Sequence, residues 1–408
     1  MGVELHTDVS LARIEQAYEA VRRIAHRTPI FTSQTFDALA GCQVFLKAEN
    51  LQKTGSFKVR GAYHCLSKFT PEQKARGVVT ASAGNHAQGI ALGARLAGMK
   101  ATVFMPLGAS IAKVQATRGY GAEVRLVGAI FDEAVAAAKA CAAETGAEFV
   151  SAFDHDDIIA GQGTVGLELL DDLPDLETAI VPVGGGGLMS GVAIALKEIN
   201  PRIRVVGVQA EGAPALVRAW QANELVATPS VKTIADGIAI KYPAARTFHY
   251  IAKYVDEMVT VSDEDTANTI VQLLERTKLV VEGAGAVGLA ALLTGKVTAR
   301  GKTAVVLSGG NIDTKLLSSL IERHMLRVAR YVRLFTAVDD RPGSLARLLQ
   351  VVAASQGNLL EVIHNRVSAS LPIGGTGVEL QLETRDEAHI EEIVVALRGE
   401  GYPVQRMP

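Results

Sequence analysis

The chain has 408 residues, of which 48% are hydrophobic and 21% are charged, and its formal net charge at pH 7 is −2. This length and composition predict two or three domains with large cores, and the low net charge argues against a nucleic-acid or anionic-membrane surface. No basic segment followed by an apolar run opens the chain, and no run of about 18 apolar residues predicts a membrane span, so we expect a cytoplasmic protein. Its three cysteines, Cys42, Cys65 and Cys141, form no motif, and we interpret them as structural.

Strand and helix patterns alternate up to about residue 320, which predicts an α/β protein with parallel sheets covered by helices. The predicted strands are short, mostly apolar runs at Gln43–Ala48, Val78–Ala81, Ala101–Met105, Glu123–Val127, Phe149–Ala152, Ala179–Val183, Val205–Gln209 and Ala304–Leu307. Helices are predicted between them, notably over Asp132–Thr145 and Asp263–Arg276.

Lys58 lies at the start of a predicted helix, after a turn at Thr54-Gly55-Ser56 and next to Phe57. A lysine held out of water there has a lowered pKa, which frees its amine to attack an aldehyde. Pyridoxal 5'-phosphate is the common biological aldehyde that uses a lysine in this way. By itself such a segment is more often an ordinary helix start, so its interpretation depends on the rest of the chain.

A polar segment, Ser82-Ala83-Gly84-Asn85-His86, joins the second predicted strand to the next helix. Its hydroxyl, amide and backbone N–H groups meet at a helix start, which is an arrangement suited to a carboxylate. Helix capping by Asn85 and a structural role for His86 are the alternatives at this segment.

Four consecutive glycines, Gly184 to Gly187, separate the strand Ala179–Val183 from an apolar helix that begins near Leu188. Without side chains their amides can surround an anion at the helix N-terminus. The pattern is neither G-x-G-x-x-G nor a P-loop, and it fits a single phosphate better than a pyrophosphate. A tight turn alone would need one or two glycines, so we favour an anion site.

The strand Ala304–Leu307 ends in Ser308-Gly309-Gly310-Asn311, which presents a hydroxyl at the carboxyl end of a sheet. Open α/β sheets bind ligands at that edge. Taken alone, this segment would be interpreted as the ordinary end of a strand without a ligand.

Together and in this order, these segments resemble the pyridoxal-phosphate-dependent family that includes threonine dehydratase, serine racemase and the tryptophan synthase β-like enzymes, known as fold type II. The resemblance runs from about Leu11 to Arg323. The motif Ser56-Phe57-Lys58-x-Arg60-Gly61-Ala62, paired with Ser82 to Gly89, is specific to the threonine and serine dehydratase branch. It implies a two-lobed catalytic domain over residues 1–325, with parallel sheets and a small lobe inserted at roughly 57–154.

The resemblance also implies roles for individual residues. Lys58 matches the catalytic lysine that bonds to the cofactor. The implied cofactor contacts are Phe57 beside the pyridine ring, Asn85 at the phenolic oxygen, Gly184, Gly185, Gly186, Gly187 and Leu188 around the phosphate, and Ser308 at the pyridine nitrogen. The implied substrate-binding residues are Ser82, Ala83, Gly84, Asn85, His86 and Gly237.

The implied reaction is dehydration and deamination of L-threonine to 2-oxobutanoate and ammonia, with conversion of L-serine to pyruvate as a side activity. Racemases of the family carry a serine at the position of Ala83, and alanine cannot carry a proton. A hydroxyaspartate dehydratase would need a cation for the second carboxylate, which the sequence does not locate. A catalytically silent amino-acid sensor is disfavoured by the retention of Lys58, Asn85 and Ser308.

A divalent metal binds related racemases near the segment that matches Glu211 to Val217. Because Val217 stands where those enzymes place an acidic ligand, we expect no Mg²⁺-type metal site here, and a weak cation site near Glu211 is the alternative.

The pattern changes after about residue 326 to β-α-β-β-α-β, which is the ferredoxin-like order. With Asp339-Asp340-Arg341-Pro342-Gly343-Ser344-Leu345 at its first turn, residues 326–408 resemble an ACT domain. This resemblance implies an amino-acid or nucleotide effector bound at subunit contacts, and hence a homodimer or homotetramer. A plain oligomerisation domain is the alternative.

Overall fold

The computed structural model of the protein describes residues 9–365 and 375–407. The chain divides into two compact units between Asp313 and Thr314. This division precedes the predicted boundary after residue 325, because the helix Thr314–Arg327 contacts the first strand of the C-terminal sheet.

The strands within the described residues are β1 (Ile30–Thr32), β2 (Gln43–Lys47), β3 (Val78–Ala81), β4 (Ala101–Met105), β5 (Glu123–Leu126), β6 (Glu148–Phe149), β7 (Thr178–Pro182), β8 (Arg204–Ala210), β9 (Glu257–Val261), β10 (Lys302–Val306), β11 (Tyr331–Asp339), β12 (Asn358–Asn365), β13 (Gly375–Glu383) and β14 (Gln405–Arg406).

The helices are α1 (Leu11–Val21), α2 (Gln34–Ala40), α3 (Lys58–Ser67), α4 (Pro71–Arg76), α5 (Asn85–Leu96), α6 (Ile111–Gly119), α7 (Phe131–Thr145), α8 (Asp156–Asp172), α9 (Gly187–Ile199), α10 (Ala215–Ala222), α11 (Ala245–Tyr254), α12 (Asp263–Thr277), α13 (Gly283–Leu293), α14 (Thr314–Arg327), α15 (Ser344–Ala354) and α16 (Glu387–Gly399). Among the described residues, no helix combines the length and apolar character required to cross a bilayer.

The larger sheet of the first unit has the order β1-β2-β10-β7-β8-β9. All its neighbouring strands are parallel except β1, which runs antiparallel to β2. Its central strand β7 is buried throughout, as expected for a parallel strand covered on both faces. The sheet therefore brings the carboxyl ends of β7 and β10, and the loops that follow them, to one edge.

The smaller sheet of the first unit has the order β5-β4-β3-β6 and is entirely parallel. Helix α5 begins directly after β3 and packs against α3. Two helices that begin with a predicted site residue, α3 with Lys58 and α5 with Asn85, are therefore in contact. Their side-by-side packing requires Gly89, where an added Cβ would lie 3.1 Å from the Lys58 carbonyl oxygen.

The second unit contains an antiparallel sheet of order β12-β13-β11-β14, with α15 and α16 in the β-α-β-β-α-β succession. The strand β11 alternates buried and accessible residues, which is the pattern of a sheet covered on one face. Its buried residues Val332 and Leu334 belong to one core with Leu348 of α15 and Ile393 of α16.

The eight predicted strands of the first unit are all present and follow the predicted order along the chain, but the structure differs from the prediction in two respects. The predicted strand Phe149–Ala152 is wrong in extent, because β6 ends at Phe149 and the Ala152 carbonyl instead accepts a hydrogen bond from Lys58. The strands β1 and β9 were not predicted, and both lie at the edges of the larger sheet.

Candidate active site

A cavity of about 300 Å³ lies at the carboxyl edge of the smaller sheet. All residues that the sequence assigns to the substrate line it, namely Ser82, Ala83, Gly84, Asn85, His86 and Gly237. A narrower cavity adjoins it and shares Lys58, Asn85 and Glu282 in its wall. All residues that the sequence assigns to the cofactor line this second cavity, namely Phe57, Lys58, Asn85, Gly184, Gly185, Gly186, Gly187, Leu188 and Ser308.

Lys58 is the first residue of α3 and, among the described residues, carries the one side-chain amine common to both cavities. Its Nζ donates to the Ala152 carbonyl oxygen at 3.1 Å and lies 5.2 Å from the centre of the Phe57 ring. Burial lowers the pKa of the amine to about 8, although the nearby Glu282 opposes the shift. A larger share of this amine is therefore neutral, and hence nucleophilic, than of an ordinary lysine at neutral pH.

The buried side chain of Arg60 anchors the first turn of α3. It is fully buried, and its guanidinium binds the Glu49 carboxylate through two hydrogen bonds of 2.8 Å. It also binds the Glu168 carboxylate at 2.7 and 2.9 Å, and Lys47 pairs with the same carboxylate at 2.8 Å. This network of buried, paired charges holds the backbone that carries Lys58.

The glycine segment forms the turn between β7 and α9 and is held by close packing. Gly186 has a positive φ of 90°, and a Cβ at that residue would lie 2.8 Å from Thr247. A Cβ at Gly185 would lie 2.2 Å from the Phe153 ring, so neither position has room for a side chain. The first N–H groups of α9 have no acceptor within the helix, which is an arrangement that favours an anion.

Ser308 follows β10 and is 3% exposed. Its hydroxyl makes one long hydrogen bond, donated to the Ala284 carbonyl oxygen at 3.4 Å. The Phe57 N–H donates to the Ser308 carbonyl oxygen at 3.2 Å, and Ser56 forms an isolated antiparallel bridge with Gly309. The main chain therefore ties the segment that carries Lys58 to the segment that carries Ser308.

The Asn85 carboxamide lies where the two cavities meet. Its Nδ2 donates to Glu282 Oε1 at 2.6 Å, and its Oδ1 accepts from Asn311 Nδ2 at 2.8 Å. His86, the next residue, is buried, and burial lowers its pKa to about 3. Its ring is therefore neutral and offers a carboxylate no positive charge.

A model of the family described as pyridoxal-phosphate dependent enzyme matches residues 21–309. The chain belongs to this family. It is 47% identical over 398 residues to an L-threonine ammonia-lyase of Thermotoga maritima, covering 97% of this chain and 99% of that protein. It is 49% identical over 392 residues to an L-threonine ammonia-lyase of Geobacter sulfurreducens, covering 96% and 98%.

Among solved structures, maize serine racemase matches with a TM-score of 0.74 and 35% sequence identity. The match covers 78% of this chain and 98% of the racemase. The first unit therefore has the fold-type-II architecture of the family, and pyridoxal phosphate is its cofactor.

The residues of the narrower cavity fit this cofactor. Lys58 offers an amine for the aldehyde, and the turn at Gly184–Gly187 offers backbone N–H groups and a helix N-terminus for the phosphate. Ser308 offers a buried hydroxyl with unused hydrogen-bonding capacity for a ring nitrogen.

Several residues of this pyridoxal-phosphate enzyme's site have no role assigned from the sequence. They include Glu282 and Phe153, which line both cavities, Lys113 of α6, and Asn311, which binds Asn85. Lys113 lines the wider cavity and pairs there with Asp236. The available signal for Glu282 was an acidic residue between the apolar Val280-Val281 and a glycine-rich helix start.

Neither cysteines nor a metal cluster contribute to the described site. None of Cys42, Cys65 and Cys141 lines either cavity, and burial raises the pKa of the Cys65 thiol, which keeps it unreactive. Within residues 9–365 and 375–407, no group of three histidine, cysteine or acidic side chains is arranged to hold a metal ion.

Proposed function

We propose that this protein is an L-threonine ammonia-lyase that converts L-threonine to 2-oxobutanoate and ammonia, with L-serine to pyruvate as a side activity. One observation carries the proposal: the Lys58 amine and the Ser82–His86 loop line the same cavity, which continues to the glycine turn and Ser308. The names of two relatives that match nearly the whole chain support the same activity.

The proposed chemistry divides between the cofactor and the side chains. When bound, pyridoxal phosphate acts as an electron sink that weakens the bonds at the substrate Cα. The Lys58 amine removes the Cα proton, and the Ser82–His86 loop holds the substrate carboxylate through hydroxyl, amide and backbone N–H groups. Water is lost from the β-carbon and regained when the imine nitrogen leaves as ammonia, so the net products are the 2-oxo acid and ammonia.

Ser308 sets the electronic character of this site in the proposal. A neutral hydroxyl facing the pyridine nitrogen does not hold a proton there as a carboxylate would. The ring is then a weaker electron sink, which favours prompt loss of the β-hydroxyl over transamination.

Ala83 separates this proposal from racemisation, the activity named for the maize structure. It lines the same cavity as Lys58, and its methyl group cannot donate or accept a proton. Elimination from L-serine is therefore expected to exceed formation of D-serine by a wide margin.

The test is production of 2-oxo acids from a panel of L-hydroxy amino acids, with D-amino acids quantified in the same reactions. We expect 2-oxobutanoate from L-threonine, less pyruvate from L-serine, and neither product from Lys58→Ala. Appreciable D-serine in the wild-type reaction, or full activity in Lys58→Ala, would contradict the proposal.

For the second unit we propose an ACT-like module, over about residues 326–408, that binds an amino-acid or nucleotide effector in a cytoplasmic homodimer or homotetramer. Its support is the β-α-β-β-α-β succession with strand order β12-β13-β11-β14. The test is threonine turnover with and without isoleucine, valine and AMP, together with the molar mass of the assembly in solution. A monomer whose activity responds to none of the three would contradict it.

A further inference from the structure

Glu282 is a buried acid in the wall that the two cavities share. It is 3% exposed and precedes α13 as its N-cap residue. The partial positive charge of a helix N-terminus favours a carboxylate at that position. The chain therefore holds an acidic group beside the cofactor cavity that the proposed chemistry does not use.

One hydrogen bond joins Asn85 to Glu282, and together with a second bond from Asn311 it fixes the orientation of the Asn85 carboxamide. Asn85 Nδ2 donates to Glu282 at 2.6 Å, while Asn85 Oδ1 accepts from Asn311 at 2.8 Å. Asn311 is itself anchored, because its Nδ2 also donates to the Thr54 carbonyl oxygen at 2.7 Å. An amide nitrogen has two N–H groups, so one N–H of Asn85 remains for a group inside the cavity.

Two glycines make room for this pair of side chains. A Cβ at Gly309 would lie 2.4 Å from Glu282 Oε1 and 3.1 Å from Asn85 Nδ2. A Cβ at Gly237 would lie 3.5 Å from the same carboxylate oxygen and 2.9 Å from the Ala284 Cβ. The backbone of both glycines thus packs against the hydrogen-bonded pair of Asn85 and Glu282.

We propose that Glu282 is a positioning residue, which holds Asn85 so that its remaining N–H points into the cofactor cavity toward the phenolic oxygen of pyridoxal phosphate. The charged acceptor also strengthens the hydrogen bond that fixes the amide. The effect of Glu282 on turnover rests on the proposed function. Its effect on cofactor binding does not.

The charge on Glu282 responds to pH near neutrality. Burial raises the pKa of the carboxyl to about 7, with the charge of Asp236 adding to the shift. The hydrogen bond from Asn85 opposes it, as do the charges of Lys113 of α6 and Lys58 of α3, and His86 of α5 is neutral. The carboxyl therefore takes up a proton as the pH falls through about 7, and the hydrogen bond to Asn85 loses its charge assistance.

The test compares Glu282→Ala and Glu282→Gln with Glu257→Gln, a control acid that pairs with Arg204 and is absent from both cavity walls. The affinity of each cofactor-free protein for pyridoxal phosphate and its absorption spectrum when loaded are measured first. The pH dependence of kcat/KM for threonine follows. Thermal unfolding of the cofactor-free proteins checks that each variant folds.

We expect Glu282→Ala to bind the cofactor about tenfold or more weakly, because a charged hydrogen bond and its orientation are lost. Glu282→Gln keeps an acceptor oxygen, so its affinity stays within about threefold of wild type. Its pH profile, however, lacks the ionisation near 7 that the wild type and Glu257→Gln show.

An affinity and spectrum of Glu282→Ala equal to those of wild type would overturn the proposal. If Glu282→Ala does not fold, Glu282→Gln decides: an unchanged ionisation near 7 in that variant would equally overturn it. Should threonine fail as a substrate, the cofactor affinity and spectrum still report on Glu282. A failure of the proposed function is thereby distinguished from a failure of the positioning role.

Discussion

The ring of Phe153 lies on the backbone of Gly185, so closely that a Cβ at residue 185 would be 2.2 Å from the ring atom Cδ1. Gly185→Ala therefore requires the ring or the phosphate turn to move. We expect the affinity for pyridoxal phosphate to fall by about tenfold or more, because displaced backbone N–H groups lose charge-assisted hydrogen bonds. Titration of the cofactor-free protein with pyridoxal phosphate measures the change.

Two further variants show whether Phe153 is the cause. Gly108 has no atom within 4 Å of an added Cβ, so Gly108→Ala is a matched control that leaves the affinity unchanged. Adding Phe153→Ala to Gly185→Ala removes the obstructing ring and is expected to restore part of the affinity. A double variant as weak as Gly185→Ala would show that the ring is not what constrains the turn.

The lowered pKa of Lys58 predicts how the rate of cofactor incorporation depends on pH. Only the neutral amine attacks the aldehyde, and burial lowers its pKa to about 8. The rate of incorporation into cofactor-free protein should therefore rise as the pH increases and level off above about 8, whereas an ordinary lysine would continue to gain rate up to about 10.4. The absorbance of the bound cofactor after rapid mixing follows the rate. A rate that continues to rise toward pH 10 would contradict the assignment.

Arg60 is expected to be essential for the stability of the first unit. Arg60→Met leaves the buried carboxylates of Glu49 and Glu168 without the guanidinium that binds both. Removing one partner from a buried ion pair costs about 3–5 kcal/mol. Urea unfolding followed by the fluorescence of Trp220, in the first unit, measures the loss.

Arg76 provides the control for Arg60. It pairs with Glu148 at the surface, where the two side chains are 44% and 36% exposed. Arg76→Met should change the free energy of unfolding by about 1 kcal/mol or less. Equal effects of the two substitutions would argue against a special role for the buried network.

The pair formed by Lys113 and Asp236 is expected to restrict the substrate's charge. Both side chains line the wider cavity, and Asp236 neutralises the lysine there. In Asp236→Asn, Lys113 loses this ion pair. The substitution also removes a negative charge that repels a second carboxylate on the substrate. We expect kcat/KM for 3-hydroxyaspartate relative to threonine to rise about tenfold, since charges at contact distance interact by about 1–4 kcal/mol.

The double variant Asp236→Asn, Lys113→Met isolates the contribution of the lysine. It keeps the loss of the carboxylate but removes the cation, so the gain for 3-hydroxyaspartate should largely disappear. Steady-state kinetics with both substrates at one ionic strength provide the comparison. A ratio that the single substitution does not change would contradict this role of the pair.

The succession of strands along the chain and the positions of the site loops could be predicted from the sequence, because each strand and each loop has a local sequence pattern. Short apolar runs identify the strands, and the loops at Ser82, Gly184 and Ser308 each follow one of them. The edge strands β1 and β9 were missed, since three residues make a weak pattern at Ile30–Thr32, and Glu257–Val261 mixes polar and apolar residues.

The contacts between these loops could not be predicted, because each joins segments that are distant in the chain. Asn85 and Glu282 are 197 positions apart, and nothing in either local pattern indicates the other. From the sequence alone, Lys113 is an ordinary surface lysine on a helix. The fold places Asp236 opposite to it. A cation that could bind a second substrate carboxylate can therefore be located only from the tertiary structure.

Backbone hydrogen bonding between Ser56-Phe57 and Ser308-Gly309 has a consequence for how this scaffold can change its chemistry. Peptide groups, which every amino acid possesses, set the spacing between the segments that carry the Lys58 amine and the Ser308 hydroxyl. Substitutions of side chains around the cofactor can therefore alter the outcome of the reaction without disturbing this backbone contact. A backbone frame of this kind tolerates changes in the side chains that surround it.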